Sequence, residues 1–210
     1  MGIAERKEKQ KQDIKKMILD ASMQLFIEQG FEHVTMRKIA DLIEYSPTTV
    51  YLYFKDKNEI FFQLHELGFQ KLVEMNKNLA EIQNPLLRLY KMGENYINFG
   101  MNNPEFYDVM FIQRAPMEVL AQMEVCDWSV GDTAIDALKN LLVECMDKGL
   151  IQKAPIEAVA MAIWGMVHGL VSLAIRERLN KMVPKEHIIP VMHSSLNWLL
   201  GTIDSSFKRE

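Results

Sequence analysis

Ser46, Thr48, Thr49, Tyr51 and Tyr53 put five hydroxyl groups into eight consecutive residues. On one short helix, such groups bond phosphate oxygens and reach base edges in a DNA groove. Arg37, Lys38 and Lys57 lie near enough in sequence to add cations to the same surface. Other chemistries lack their residues. The two cysteines, Cys126 and Cys145, have no metal-ligand spacing. No nucleophile motif or glycine-rich phosphate loop occurs. No catalytic residue, metal or cofactor is expected, and the chain is not expected to be an enzyme. His168 with Glu94 or Asp127 can still be imagined as an acid–base pair, which leaves an all-helical enzyme or carrier as an alternative.

The elements that must position these side chains are helices. Apolar residues recur with helical period from end to end, and period-2 alternation is absent. Ile14, Met17, Ile18, Ala21 and Leu25 form the stripe of a first helix, which Gly30 stops. Thr35 can cap a helix over 36–43, and Ser46 with Pro47 can open one to about Tyr53. This pair is a helix-turn-helix layout, with Leu25, Phe26, Ile39, Ala40, Val50 and Phe54 as its small core. Asp56 can cap a long helix to about Leu79. Further helices are expected from Pro85 to about Met101, from Asn103-Pro104 to Ile112, and over 129–148 up to Gly149. Two more follow, from Pro155 to about Asn180 and from Pro184 to about Ile203. Arg114-Ala115-Pro116 reads as a break, and 117–128 is left unassigned. The fold class is therefore all-α with about nine helices. A DNA-binding domain is expected over 1–56 and an effector-binding and dimerisation domain over 57–210.

The resemblance becomes specific across this region. Ala21, Leu25-Phe26, Gly30-Phe31, Thr35, Ile39-Ala40, Ser46, Thr49, Tyr51, Phe54 and Lys57 stand in register over about 40 residues. The string resembles the DNA-binding signature of the TetR family. That family often has Gly where Glu44 and Thr48 stand here. A left-handed turn at Glu44 would cost about 1 kcal/mol more than at Gly. The resemblance implies a phosphate-contacting cap at Thr35, with Arg37 and Lys38 beside it. It implies a reading surface of Thr48, Thr49 and Tyr51 after the Ser46 cap, and phosphate contacts at Tyr53 and Lys57. Each residue also has a plainer role open to it, as a cap, a half-buried aromatic or a solvated charge. The basic start, Arg6 to Lys16, alternates with Glu5, Glu8 and Asp13 and fits a solvated helix or a DNA-contacting arm equally.

The resemblance further implies an effector-binding, dimerising C-terminal domain. Trp164 and His168, in a Trp-x-x-x-His-Gly segment similar to one in some such domains, share a helix face and either line a pocket or are core. Tyr90, Glu94, Tyr96, Tyr107, Met110, Phe111, Arg114 and Trp128 are the other expected effector contacts. Glu94 and Arg114 are singled out because a buried charge needs a partner or a ligand. Ala158, Ala162, Gly165, Gly169 and Ser172 form a small-residue face. With Met192, Ser195, Leu196 and Leu199 they are expected to build a four-helix homodimer interface.

Composition constrains the rest. Hydrophobic residues make up 49% and charged residues 25%, ordinary values for a globular chain. Net charge is −4, which excludes a generic polycation. Residues 1–57 hold ten cations against nine anions, whereas the remainder is acidic. Fifteen methionines suit an adaptable core and a hydrophobic or amphipathic effector. Few cysteines, a charged start and no expected bilayer-length apolar run point to a cytoplasmic protein without membrane contact. The expected function is a transcription regulator, a repressor released from a palindromic double-stranded DNA operator by a small molecule. A DNA binder controlled by a protein partner, or an activator, is the alternative.

Overall fold

The computed structural model describes residues 2–122 and 129–204. Among the described residues it is all-α, with ten α-helices, short 3-10 turns and one isolated bridge, Ile151 to Asp204. The helices are α1 (Ile3–Gln29), α2 (Met36–Leu42), α3 (Pro47–Tyr51), α4 (Lys57–Met75) and α5 (Pro85–Asn102). They continue with α6 (Pro104–Phe111), α7 (Ala115–Ala121), α8 (Ser129–Asp147), α9 (Ile156–Ile175) and α10 (Ile188–Ile203). The one element the sequence left unassigned is α7. Pro116 there sits in the first turn, where its missing N–H costs nothing, so it opens a helix instead of breaking one.

Local chemistry sets most boundaries. Thr35 accepts from Lys38 N–H to cap α2, and Ser46 accepts from Thr49 N–H to cap α3. Asp56 accepts from Glu59 N–H, and Asn84 accepts from Leu86 and Leu87 N–H before Pro85. Three helices close alike at their C-termini. Tyr45, Leu150 and Arg178 donate back to the carbonyls of Ala40, Cys145 and Leu173. The preceding residue takes positive φ each time: Glu44 at 59°, Gly149 at 67° and Glu177 at 55°. The closure at Glu177 ends α9 at Ile175, short of the expected Asn180. Similarly, α4 stops at Met75 rather than Leu79, and a 3-10 turn follows at Lys77–Glu81.

The chain packs as two units, the described residues of 1–68 with 105–128, and those of 69–104 with 129–210. The expected boundary at residue 56 is thus not the edge of a packed unit, since α4 contributes residues to both. In the first unit, Ile14, Ile18, Ala21, Leu25 and Phe26 of α1 bury against Ile39, Ala40, Val50 and Phe54. Ile60, Phe61 and Leu64 of α4 and Val109 of α6 complete this core. Phe61 meets Phe26 and Phe31 edge-on, at 5.5 and 4.7 Å between centroids. Met17 was expected in the stripe but is exposed, and Leu19 is buried instead. Gly68 of α4 faces Met110, and a Cβ there would lie 2.4 Å from the methionine sulfur. His65, one turn earlier, is wholly buried and hydrogen-bonded to the Met110 backbone.

In the second unit, α5 packs on α8, α9 and α10. Leu89, Ile97 and Phe99 meet a core that includes Leu142, Ile163, Val167, Val171, Met192 and Leu196. A Cβ on Gly93 would lie 2.7 Å from Leu196 Cδ2, so the missing side chain is what lets α5 and α10 approach. Cys145 of α8 is fully buried, and burial pushes its thiol up to about 11. Among the described residues, α9 alone is long and apolar enough to cross a membrane by length and composition, contrary to the expectation that no segment is. Its apolarity is two-sided. Ala160, Ile163, Val167, Val171 and Ala174 are core, and a second, mostly exposed face remains apolar.

Candidate functional site

The first candidate surface is the outer side of α3. Val50 faces inward and is fully buried, which turns Thr48 and Tyr51 to solvent. Tyr51 is 54% exposed. Ser46 Oγ lies 2.9 Å from Thr49 Oγ1, so these two hydroxyls hold each other at the start of the helix. Tyr53 is half-buried and packs on the core of the first unit. Leu52, which sequence reasoning did not select, is 78% exposed, one turn beyond Thr48. Helical period alone could have flagged it, since i and i+4 share a face. The outer surface thus carries an exposed hydroxyl, a phenol and an isobutyl group.

The flanking cations differ in availability. Arg37 is exposed on α2. Lys38 Nζ is spent inside the unit, donating to Gln29 Oε1 at 2.6 Å and to the His33 carbonyl at 2.9 Å. Lys57 Nζ donates to the Phe31 carbonyl at 3.0 Å and lies 4.0 Å above the Phe31 ring. The α4 N-terminus also holds two carboxylates. Asp56 caps it, and Glu59 reaches back to Lys55 N–H. Lys57, the expected phosphate contact, is therefore held in the structure as a tie between α4 and the segment after α1.

The expected effector residues are divided between the units. Tyr107 and Phe111 belong to the first, with ring centroids 5.1 Å apart, and Tyr107 is fully buried. Arg114 is exposed before α7. It was selected as a buried charge, and its exposure removes that reason. Trp128 lies outside the described residues.

Tyr90, Glu94, Trp164 and His168 belong to the second unit and form two polar clusters. In one, Trp164 Nε1–H donates to Tyr96 Oη at 3.3 Å, and Tyr96 Oη lies 3.0 Å from His168 Nδ1. The phenol oxygen can accept from the indole and still share a hydrogen bond with the imidazole, in a direction that the histidine tautomer sets. Burial, with Arg176 adding to it, holds His168 below the ordinary histidine value, which favours the neutral ring. Tyr96, one of the aromatics selected from sequence, is the residue through which Trp164 and His168 are joined.

In the other cluster, Glu94 takes Lys91 Nζ at 2.6 Å and lies 3.3 Å from His193 Nδ1, with Tyr90 also hydrogen-bonded to it. Burial works to raise the Glu94 carboxyl, but these bonds outweigh it and hold the group below the ordinary carboxylate range. The buried charge is thus matched by partners within the chain. A third network, Arg88 to both Glu144 oxygens at 2.8 Å with Lys148 alongside, ties α5 to α8.

The second candidate surface lies on α9 and on α10. Ala158, Ala162 and Gly165 are exposed, and Gly169 and Ser172 are half-exposed. Met161 and Leu173 are exposed beside them. The expected contribution from α10 needs correcting. Met192 and Leu196 are wholly buried within the chain, packed in the second unit's core, and are not free for a partner. Ser195 and Leu199 are half-exposed. The outward stripe of α10 is Val191, Ser195, Trp198 and Thr202, with Trp198 71% exposed. A helix apolar on two sides carries two stripes, and periodicity does not say which is the core.

Two family models match the chain. One, described as bacterial regulatory proteins of the tetR family, covers residues 18–64. The other, a tetracyclin repressor-like C-terminal domain, covers residues 89–189. Among curated proteins, the uncharacterised HTH-type transcriptional regulator YhgD of Bacillus subtilis is 33% identical over 79 residues. TcmR of Streptomyces glaucescens, also an HTH-type transcriptional regulator, is 32% identical over 59 residues. These alignments take in 38% and 28% of this chain, and only 40% and 25% of the relatives' own lengths. Solved structures agree over more of the fold. A TetR-family regulator from Syntrophomonas wolfei superposes with a TM-score of 0.72 at 19% identity, covering 90% of this chain and 96% of the other. The fatty acid degradation regulator FadR from Bacillus halodurans gives 0.70 at 18% identity, covering 87% and 93%.

Proposed function

The chain belongs to the tetR family of bacterial regulatory proteins, and on that premise we propose that it is a cytoplasmic repressor, released from a palindromic operator by a small molecule. The observation that carries the DNA-binding part is α3. A helix of five residues, capped by Ser46 and pinned through Val50, holds Thr48 and Tyr51 outward. Side chains so fixed can bond phosphates and base edges without first losing much freedom. Arg37, from α2, adds a cation to the same unit.

The homodimer is supported by the unpartnered apolar face of α9, where Ala158, Ala162 and Gly165 permit close helix approach, and by Trp198 on α10. A two-fold protein matches a two-fold operator with half-sites about one turn or more apart. For the effector, Tyr90, Glu94, Trp164 and His168 are the proposed contacts, and the Met-rich, aromatic composition favours a hydrophobic or amphipathic compound. Effector binding would shift the population toward a dimer whose reading helices no longer match successive grooves, with α4, shared by both units, as the connection.

The test is selection of bound DNA from a random pool at low salt, followed by release assays with candidate metabolites. A palindromic consensus is expected. Thr48→Ala with Tyr51→Ala should weaken binding at least about tenfold while leaving the fold intact. Failure to enrich any sequence overturns the proposal. Enrichment without release by any compound overturns its effector half.

A further inference from the structure

The described side chains at the start of α1 have no packing role. Every described side chain from Ala4 to Asp13 is exposed, and the first core residue is Ile14. At 1.5 Å per residue, this arm projects about 16 Å beyond the core. Such a stretch gains no stability from burial, and a helix of that length is marginal alone. Its charge is nevertheless opposite to that of the chain. Residues 4–13 carry four cations and three anions, in a protein of net charge −4.

The cations are ordered. Lys7, Lys11 and Lys15 lie at i, i+4 and i+8 on one ridge. The ridge is in line with the side of α1 that Ile14 and Ile18 bury, while Lys7 and Lys11 themselves are exposed. Lys15 shows where it leads. Its Nζ donates to Gln63 Oε1 at 2.9 Å and lies 5.6 Å from the centre of the Phe54 ring, directly after the α3 segment. Two of the anions are engaged locally. Glu5 accepts from Gly2 N–H at 2.7 Å, and Glu8 from Gln12 at 2.8 Å. Asp13, two residues on from Lys11, projects from the far side of the helix.

We propose that the Lys7–Lys11 ridge is a second DNA-contacting element, binding backbone phosphates of the operator flank. The occupant is duplex DNA because a row of ammonium groups one turn apart, beginning beside the α3 segment, complements a polyanion, and among the described residues Lys7 and Lys11 form no ion pair. This rests on the DNA-binding reading above. The contact is to phosphate, so it extends the footprint and raises affinity without reading sequence.

The experiment measures operator affinity against salt concentration, and the hydroxyl-radical footprint, for the full-length protein and Lys7→Ala/Lys11→Ala. Each lost phosphate contact lowers the slope of log K against log salt by about 0.9, so a dimer should lose up to about 3.6. The footprint should shorten at both ends while the selected consensus stays the same. Lys7→Arg/Lys11→Arg should restore both. Circular dichroism and the unchanged consensus guard against a folding defect. If wild type binds its consensus and the double alanine variant keeps the same slope and footprint, the arm is merely solvated and this proposal is overturned alone. If wild type binds no DNA, the DNA-binding reading falls with it.

Discussion

Two single residues carry testable stability terms. Glu44 closes the turn between α2 and α3 with φ at 59°. A side chain in that conformation costs about 1 kcal/mol relative to glycine. Glu44→Gly is therefore expected to raise unfolding stability by about 0.5–1 kcal/mol in urea, part of the gain being offset by a freer unfolded chain. A loss would mean that the glutamate makes a compensating contact. His65 is the second. Burial lowers its folded value to about 4, against 6.5 in the unfolded chain, although the Met110 backbone bond works the other way. Between those values the unfolded state binds a proton and the folded state does not. The stability from His65 is thus complete above about pH 7 and is lost on acidification, by about 2 kcal/mol at pH 5. Urea curves at pH 7 and 5 should show a larger drop for wild type than for His65→Leu.

At the scale of elements, close approach and open space predict opposite outcomes for two glycines. Gly93→Val drives a side chain into Leu196 and should cost about 1–3 kcal/mol. Gly165→Ala meets nothing within 4 Å and should gain up to about 1 kcal/mol of helix propensity within the chain. Denaturation of both variants under dilute conditions checks the contrast. Most of the framework was legible because capping is local: Thr35, Ser46-Pro47, Asp56 and Asn84-Pro85 announce their helices within four residues. The end of α9 was harder, since a glutamate in a left-handed turn leaves no glycine as a sign. The outward side of α3 was legible for a related reason, because Val50 alone decides which side of so short a helix faces out. The flanking lysines were not. Lys38 and Lys57 fold back onto carbonyls distant in sequence, which spacing does not reveal. The facing of α10 depended on packing against Gly93, and so Trp198 was missed.

For the whole molecule, the proposed dimer makes DNA affinity depend on protein concentration. Trp198→Glu places a charge on the exposed stripe of α10. It should leave each chain folded but shift the assembly toward monomer by analytical ultracentrifugation, with operator affinity falling at least about tenfold. A dimer unaffected by that change would relocate the interface. The buried thiol of Cys145 offers a different kind of handle. With its pKa near 11 and no solvent contact, it is inert to alkylating reagents while the second unit is closed. Its labelling, followed by mass spectrometry of the peptide that contains it, is then a clock for opening of α8. Any compound that binds the closed form must slow that clock in proportion to its occupancy. The protein thus carries its own reporter, one that can rank candidate effectors before a single operator sequence is known.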